Sequence, residues 1–297
     1  MEDRASSAER WGLFFFAVQC GAVVFGLLSY FLHIKPAERF FTGALGLSAF
    51  GFVVLHGVSA VGGRRLAGFL TMAAALGFLA EVFSLHYGSL FGCSYVYPVS
   101  RWHDLVLGVP VSVAVFWGVF IYGGYSVVNG FLHFVGADKP QRRGAMGLPH
   151  VLLLALADAF VVTAIDVYMD PITTLRGSWI WAVPGPFFGV PIGNFAGWFA
   201  VAFVASLLFR THEFLRPRPV LLRSARMYVL PGLSYLLLAV IFTVYTYSVQ
   251  RLDIALSGLF AMAPVAVLSL ACYLFGRRSS WPSAALGTTG KGASLFH

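Results

Sequence analysis

Eight apolar runs, each about the 20 residues that a membrane-crossing helix requires, constrain this chain more than any other feature. They are Trp11–His33, Phe40–Val61, Leu66–Leu85, Pro110–Val128, Leu148–Val167, Pro191–Phe209, Met227–Val249 and Ile254–Phe275. Composition agrees. Charged residues make up 11 % of the 297 positions and hydrophobic ones 59 %, and the mean hydropathy is +0.80. About 25 % charged is usual for a soluble domain, so this chain could not cover a water-facing surface. A soluble enzyme, a disordered chain and a nucleic-acid binder are excluded. The expected fold is all-α, a polytopic membrane helix bundle of about eight transmembrane helices with two long aromatic non-cytoplasmic loops. No gap between runs has room for a soluble domain, so residues 1–278 read as a single transmembrane domain. The Ser-, Gly- and Ala-rich segment 279–297 reads as a flexible C-terminal tail.

Charge sets the orientation. Eight spans put both termini on one side. That side carries fifteen of the twenty basic residues, counting Arg210 after the sixth run, against five on the other. Basic residues mark cytoplasmic loops, so both termini are expected in the cytoplasm. The first run is too long for a signal-peptide core and reads as an uncleaved helix. Arginine outnumbers lysine 17 to 3, the usage of a GC-rich bacterial genome, and the expected location is a bacterial inner (plasma) membrane.

Several chemistries lack their residues. Cys20, Cys93 and Cys272 lie far apart with no CxxC pair, so no thiolate metal site is expected. Lys35, Lys139 and Lys291 fall outside the runs, which leaves none for a retinal Schiff base. No HxxH or HxxxH pair exists for a membrane di-iron centre. His56 has no obvious partner for haem ligation, and His86 and His103 read as solvated loop residues. Ser257-Gly258 lacks the preceding glycine of a GxSG motif. No glycine-rich phosphate loop or DDxxD-type diphosphate site occurs.

The informative acids gather at the non-cytoplasmic end. Asp166 and Asp170 stand four apart and share a face if the fifth helix persists to Pro171. Asp158 lies eight residues back, about 12 Å deeper. A carboxyl in hydrocarbon is costly and marks a functional candidate. A close pair can hold one proton at neutral pH and donate it. Glu81, near the same end of the third run, is positioned to join them. Asn194, one turn into the sixth run, could hold a water or orient a carboxyl. The run Gly193 to Gly197 around it also suits close interhelical packing.

Two loops, Leu85 to Pro110 and Val167 to Pro191, flank these acids and carry Tyr95, Tyr97, Trp102, Tyr168, Trp179 and Trp181. They are too aromatic for disorder and are expected to fold over the helices as a lid. An internal echo joins them. Gly108-Val109-Pro110 precedes Trp117 by seven residues, and Gly189-Val190-Pro191 precedes Trp198 by seven. Proline suits the first helical position. The third and fourth runs and the fifth and sixth thus read as two parallel copies of one helix–loop–helix unit, able to wall a cavity.

Taken in order, these residues form two blocks. The first is Glu81, Phe91-Gly92-x-x-Tyr95-x-Tyr97, Gly108-Val109-Pro110 and Trp117. The second is Asp166-x-x-x-Asp170-Pro171, Gly177-x-Trp179-x-Trp181, Gly185-x-x-x-Gly189-Val190-Pro191, Asn194 and Gly197-Trp198. Together they resemble the integral-membrane carotenoid-biosynthesis family that contains the bacterial carotenoid 1′,2′-hydratases and the archaeal bisanhydrobacterioruberin hydratases. The resemblance spans Glu81 to Trp198. The first block departs at His86-Tyr87-Gly88-Ser89, where a Thr-Gly pair often precedes the Phe-Gly motif.

The resemblance implies addition of water to a terminal carotenoid double bond, with no cofactor and no metal. The reaction needs a proton donor, a stabilised tertiary cation and a placed water. Asp166, Asp170 and Glu81 are the candidate catalytic acids. Tyr95, Tyr97, Trp179 and Trp181 are candidates to face the cation, with Trp117, Trp198, Asn194 and Asp158 completing the candidate substrate site. Expected partners are a carotenoid from the bilayer, membrane lipids and other enzymes of the pathway, with no nucleic acid. A cofactor-free cyclase or isomerase would use the same acid and rings. A carrier for carotenoids or lipids remains the non-enzymatic alternative.

Overall fold

A computed structural model describes residues 7–32, 37–88, 90–136, 147–217, 222 and 225–276. Every described apolar run is helical, because within hydrocarbon a backbone must bond its own N–H and C=O groups. The helices are α1 (Ser7–Phe31), α2 (Ala37–Val61), α3 (Gly63–Tyr87), α4 (Val111–Phe134), α5 (Leu148–Leu175), α6 (Ile192–Leu215), α7 (Ala225–Ser248) and α8 (Leu252–Gly276). All eight are long and apolar enough to cross a membrane. The tail expected at 279–297 lies outside the described residues.

The helices pack in sequential pairs, α1 with α2, α3 with α4, α5 with α6 and α7 with α8, and α4 sits at the centre, touching α2, α3, α5, α6, α7 and α8. Small residues permit this. A Cβ on Gly130 would stand 2.6 Å from the Tyr228 carbonyl of α7, and one on Gly124 would stand 2.9 Å from the Asp158 carbonyl of α5. Such close backbone approach is what small residues contribute to membrane bundles.

The duplicated motif has a duplicated backbone. Leu107 and Phe188 both take φ 51°, Gly108 and Gly189 take φ 83° and 88°, and Val109 and Val190 are both fully buried. Pro110 and Pro191 follow with nearly identical extended angles and serve as N-caps of α4 and α6, one position earlier than expected. Proline carries no capping side chain. In the first unit Asp104 substitutes for it, its Oδ2 accepting the Ser112 N–H at 2.9 Å.

The two long loops fold over the end of the bundle, as expected, and pair with each other. Strand β1 (Tyr95–Val96) runs antiparallel to β4 (Ile180–Trp181), with Tyr95 opposite Trp181. A second short ladder joins β2 (Leu105–Val106) to β3 (Val109–Pro110) within the first loop. The second loop is shorter than expected. Helix α5 continues through Pro171 to Leu175, so Tyr168 is a buried helical residue against Gly258 of α8 and not a loop residue.

Candidate functional site

Three side chains from two separate segments converge on Glu81. Its Oε2 accepts the hydroxyl protons of Tyr95 and of Tyr97, the latter at 2.9 Å. Its Oε1 accepts the Trp117 indole N–H at 3.0 Å. Glu81 is buried on α3, Trp117 sits on α4, and the tyrosines come from the first loop. Burial, and then the charge of Glu81, push both tyrosine hydroxyls well above the usual phenol range, so they stay protonated and donate. A carboxylate with three donors is satisfied without a cation.

Asp166 and Asp170 form a different arrangement. The helix persists past both, so they share a face and are fully buried. Asn194 of α6 donates from one Nδ2 to Asp166 Oδ2 at 2.8 Å and to Asp170 Oδ2 at 2.6 Å. Each aspartate keeps a buried Oδ1 with no donor. The shared Asn194 nitrogen brings the two carboxyls close together. A proton held by the pair supplies a missing donor and removes the repulsion of two adjacent charges.

A cavity of about 900 Å³ joins the two arrangements, near the upper end of the usual range for ligand pockets. Glu81, Asp170 and Asn194 line it, with Asp166 behind them on the same amide. Tyr95, Tyr97, Trp117, Trp179, Trp181 and Trp198 also line it. The duplicated tryptophans meet here. Trp117 and Trp198 stack with centroids 4.0 Å apart and planes 27° from parallel. Tyr95 packs on Trp181 at 4.8 Å, and Tyr97 lies edge-on to Trp179 at 5.9 Å. The lid is tied down by the Trp102 indole donating to the Ser178 carbonyl at 2.6 Å and by Trp181 donating to Thr174 Oγ1 at 3.1 Å.

Sequence reasoning missed how the loop is seated. The Gly193 to Gly197 run does not receive a helix. It receives the loop residues Phe91 and Gly92. A Cβ on Gly193 would stand 2.6 Å from the Gly92 Cα, and one on Gly197 would stand 2.6 Å from the Leu90 carbonyl and collide with the Phe91 ring. Gly92 itself sits at φ +87°, where glycine is favoured. Phe91-Gly92 and the two glycines flanking Asn194 thus form one joint. Gln19 was also missed, a lone amide in the first run that accepts from Ser234 at 3.0 Å on the far wall of the cavity.

Asp158 stands apart from the cavity. Arg210 of α6 grips it with two bonds of 2.6 Å, Nε to Oδ2 and Nη2 to Oδ1. Arg210 also donates to Asn129 Oδ1 at 3.3 Å and lies over the Tyr125 ring. Two expectations change. Asp158 is an ion-pair partner outside the ligand cavity, and Arg210 is a buried helical residue, not a cytoplasmic loop charge. His56 also has partners: Nδ1 faces the Tyr122 hydroxyl at 2.7 Å and Nε2 the Met227 carbonyl at 2.9 Å. Both ring nitrogens are engaged in bonds between helices. His103 is an exposed loop residue, as expected, whereas His86 is exposed in the last turn of α3, its Nδ1 facing the Val82 carbonyl at 2.8 Å.

The fold and cavity define a multi-pass membrane protein whose carboxyl and aromatic side chains converge on a lipophilic chamber at one end of the bundle. Residues 41–264 match a family described as carotenoid biosynthesis protein. The chain belongs to that family and has a role in carotenoid biosynthesis. The comparisons returned no matching curated protein and no matching solved structure.

Proposed function

We propose that this chain is a carotenoid hydratase, adding water across the terminal double bond of an acyclic end group. The observation that carries this reading is the Asp166–Asp170 pair, which shares one amide donor beside a cavity walled by aromatic rings. Asp170, which lines the cavity, protonates the CH carbon of the isopropylidene group, and the positive charge develops on the dimethyl carbon. Ring faces stabilise that cation. Water then attacks it, and the proton water releases returns to the aspartate pair. One hydrogen and one hydroxyl are added, and the acid is regenerated. Asn194 holds the pair in register, and Asp166 carries the second carboxyl over which the proton is shared.

The substrate is a polyene drawn from the bilayer, which accounts for a chamber built between helices. The surrounding membrane is proposed to be a bacterial plasma membrane with both termini cytoplasmic, in keeping with the basic excess on that side. Lipids surround the bundle, and other enzymes of the pathway are proposed neighbours.

Expression in a bacterium engineered to accumulate lycopene or γ-carotene tests the reading. The expected result is a more polar pigment heavier by one water. New pigment of unchanged mass would replace the hydratase with a cyclase or isomerase. Unchanged pigments, with the protein present in the membrane, would leave the carrier reading.

A further inference from the structure

The two carboxyl arrangements differ in one respect that bears on ligand choice. Asp166 and Asp170 share a single donor and need a proton. Glu81 has three donors and needs none. Each donor to Glu81 belongs to an aromatic side chain that lines the cavity. A carboxylate that accepts a phenol O–H or an indole N–H raises the electron density of the ring behind it. The negative faces of Tyr95, Tyr97 and Trp117 are therefore strengthened in concert. Trp117 stacks on Trp198 with ring centroids 4.0 Å apart. Arg176 is the one basic side chain lining the cavity among the described residues, and it lies over the Tyr245 ring at 5.2 Å.

We propose that Glu81 and its three aromatic donors form a receptor for lipophilic organic cations, so that the cavity binds long-chain tertiary or quaternary ammonium compounds with the ammonium group against the rings. Such a group matches the charge and the methyl-bearing shape of a tertiary carbocation. Ring faces attract it electrostatically, more strongly where water is excluded. Glu81 is then a positioning residue, acting through the rings and not as a proton donor. This rests on the reading of the chamber as a cation-stabilising site, but the test below measures binding and needs no turnover.

The full-length protein in zwitterionic-lipid nanodiscs is titrated with N,N,N-trimethyldodecylammonium and with its uncharged carbon isostere, in which a quaternary carbon replaces the nitrogen. Tryptophan fluorescence reads the binding, with empty discs subtracted. The wild type is expected to prefer the cation by about 10-fold or more. Glu81→Gln keeps the shape and is expected to lower the preference several-fold while leaving isostere affinity unchanged. Asp166→Asn is expected to retain the preference, because Glu81 and its three aromatic donors are untouched. Equal affinity of the wild type for the two probes would overturn the proposal, whatever becomes of Glu81→Gln. So would a preference that is undiminished in Glu81→Gln or disappears in Asp166→Asn. If Glu81→Gln fails to fold, Tyr97→Phe takes its place, removing one donor while retaining the ring, and a preference that does not fall counts equally against the idea. Pigment analysis decides hydration separately, so failure of one reading does not mimic failure of the other.

Discussion

Replacing Asp158 by alanine removes one half of a buried ion pair and leaves Arg210 without the carboxylate that it grips. Arg210 is 5 % exposed and Asp158 0 %, and two 2.6 Å bonds join them. Stranding one partner of such a pair costs about 3–5 kcal/mol. The remaining contact to Asn129 at 3.3 Å, the Tyr125 face at 4.8 Å and the charge of Glu213, which accepts from the Tyr125 hydroxyl, offset only part of that. Arg210→Met should cost a similar amount. The double variant Asp158→Leu/Arg210→Met should recover most of the loss, because two apolar side chains of similar volume replace two charges. The assay is reversible unfolding in mixed micelles titrated with sodium dodecyl sulfate, followed by circular dichroism. Pigment conversion in cells is measured alongside, normalised to folded protein. The expected result is a coupling of several kcal/mol in the cycle of Asp158→Leu, Arg210→Met and their combination, with conversion per folded molecule unchanged by the double variant. An Asp158→Ala protein of normal stability and no activity would refute the reasoning and return Asp158 to the substrate site. A double variant as unstable as either single one would show that the pair is not the unit of stabilisation.

Asp170→Asn is expected to lower the rate of pigment hydration by about 10²–10⁴-fold with binding retained, the usual contribution of a positioned general acid. Near-normal rates in membranes holding equal protein would remove Asp170 as donor. Gly197→Ala forces a methyl into the Phe91 ring and the Leu90 carbonyl. A loss of about 1–3 kcal/mol is expected, with faster protease cleavage in the first loop, and unaltered cleavage would count against the joint. Asp104→Ala removes the surrogate cap of α4 and should cost about 1 kcal/mol. The Ser112 N–H holds the Asp104 carboxyl below the usual aspartate range. Its contribution is therefore present above the unfolded-state value and lost as pH falls through the lowered one. Wild type and variant should converge in acid, and a pH-independent gap would contradict this.

The parts legible in the sequence were those that depend on spacing along one segment. Run length gave the eight helices. The four-residue step from Asp166 to Asp170 gave their shared face, and the repeated Gly-Val-Pro with its tryptophan gave two units that meet ring to ring. What escaped depends on contacts between distant segments. Arg210 lies near the end of its apolar run, where a basic residue ordinarily snorkels to the headgroups, and nothing local distinguishes it from a topology signal. Its partner is 52 residues away. The partners of His56, at Tyr122 and Met227, are equally remote. The glycines around Asn194 were legible as a site of close approach, but a loop filling that site requires the turn at Gly92, which periodicity does not report. Glu81 stood out as an intramembrane acid, whereas its three donors come from two further segments of chain.

The duplication is structural and the chemistry is not duplicated, which has a consequence for the product. Asn194 stands three residues after Pro191, and the matching position after Pro110 is Val113. Both line the cavity, yet only Asn194 bridges two carboxyls. Likewise the Trp117 indole donates to Glu81, while Trp198 contributes its ring to the stack. One chain therefore presents one shared-proton centre to one end of a ligand. A linear polyene with two identical ends must leave and return reversed before its second end reaches Asp170. Under the proposed hydration, the monohydrated pigment should rise before the dihydrated one in a time course begun from lycopene, and limiting enzyme should lengthen the delay. Dihydrated product formed from the first time points, with no singly hydrated precursor at any enzyme level, would mean that both ends are served in one binding event. That result would contradict a site in which only the second unit carries the paired acid.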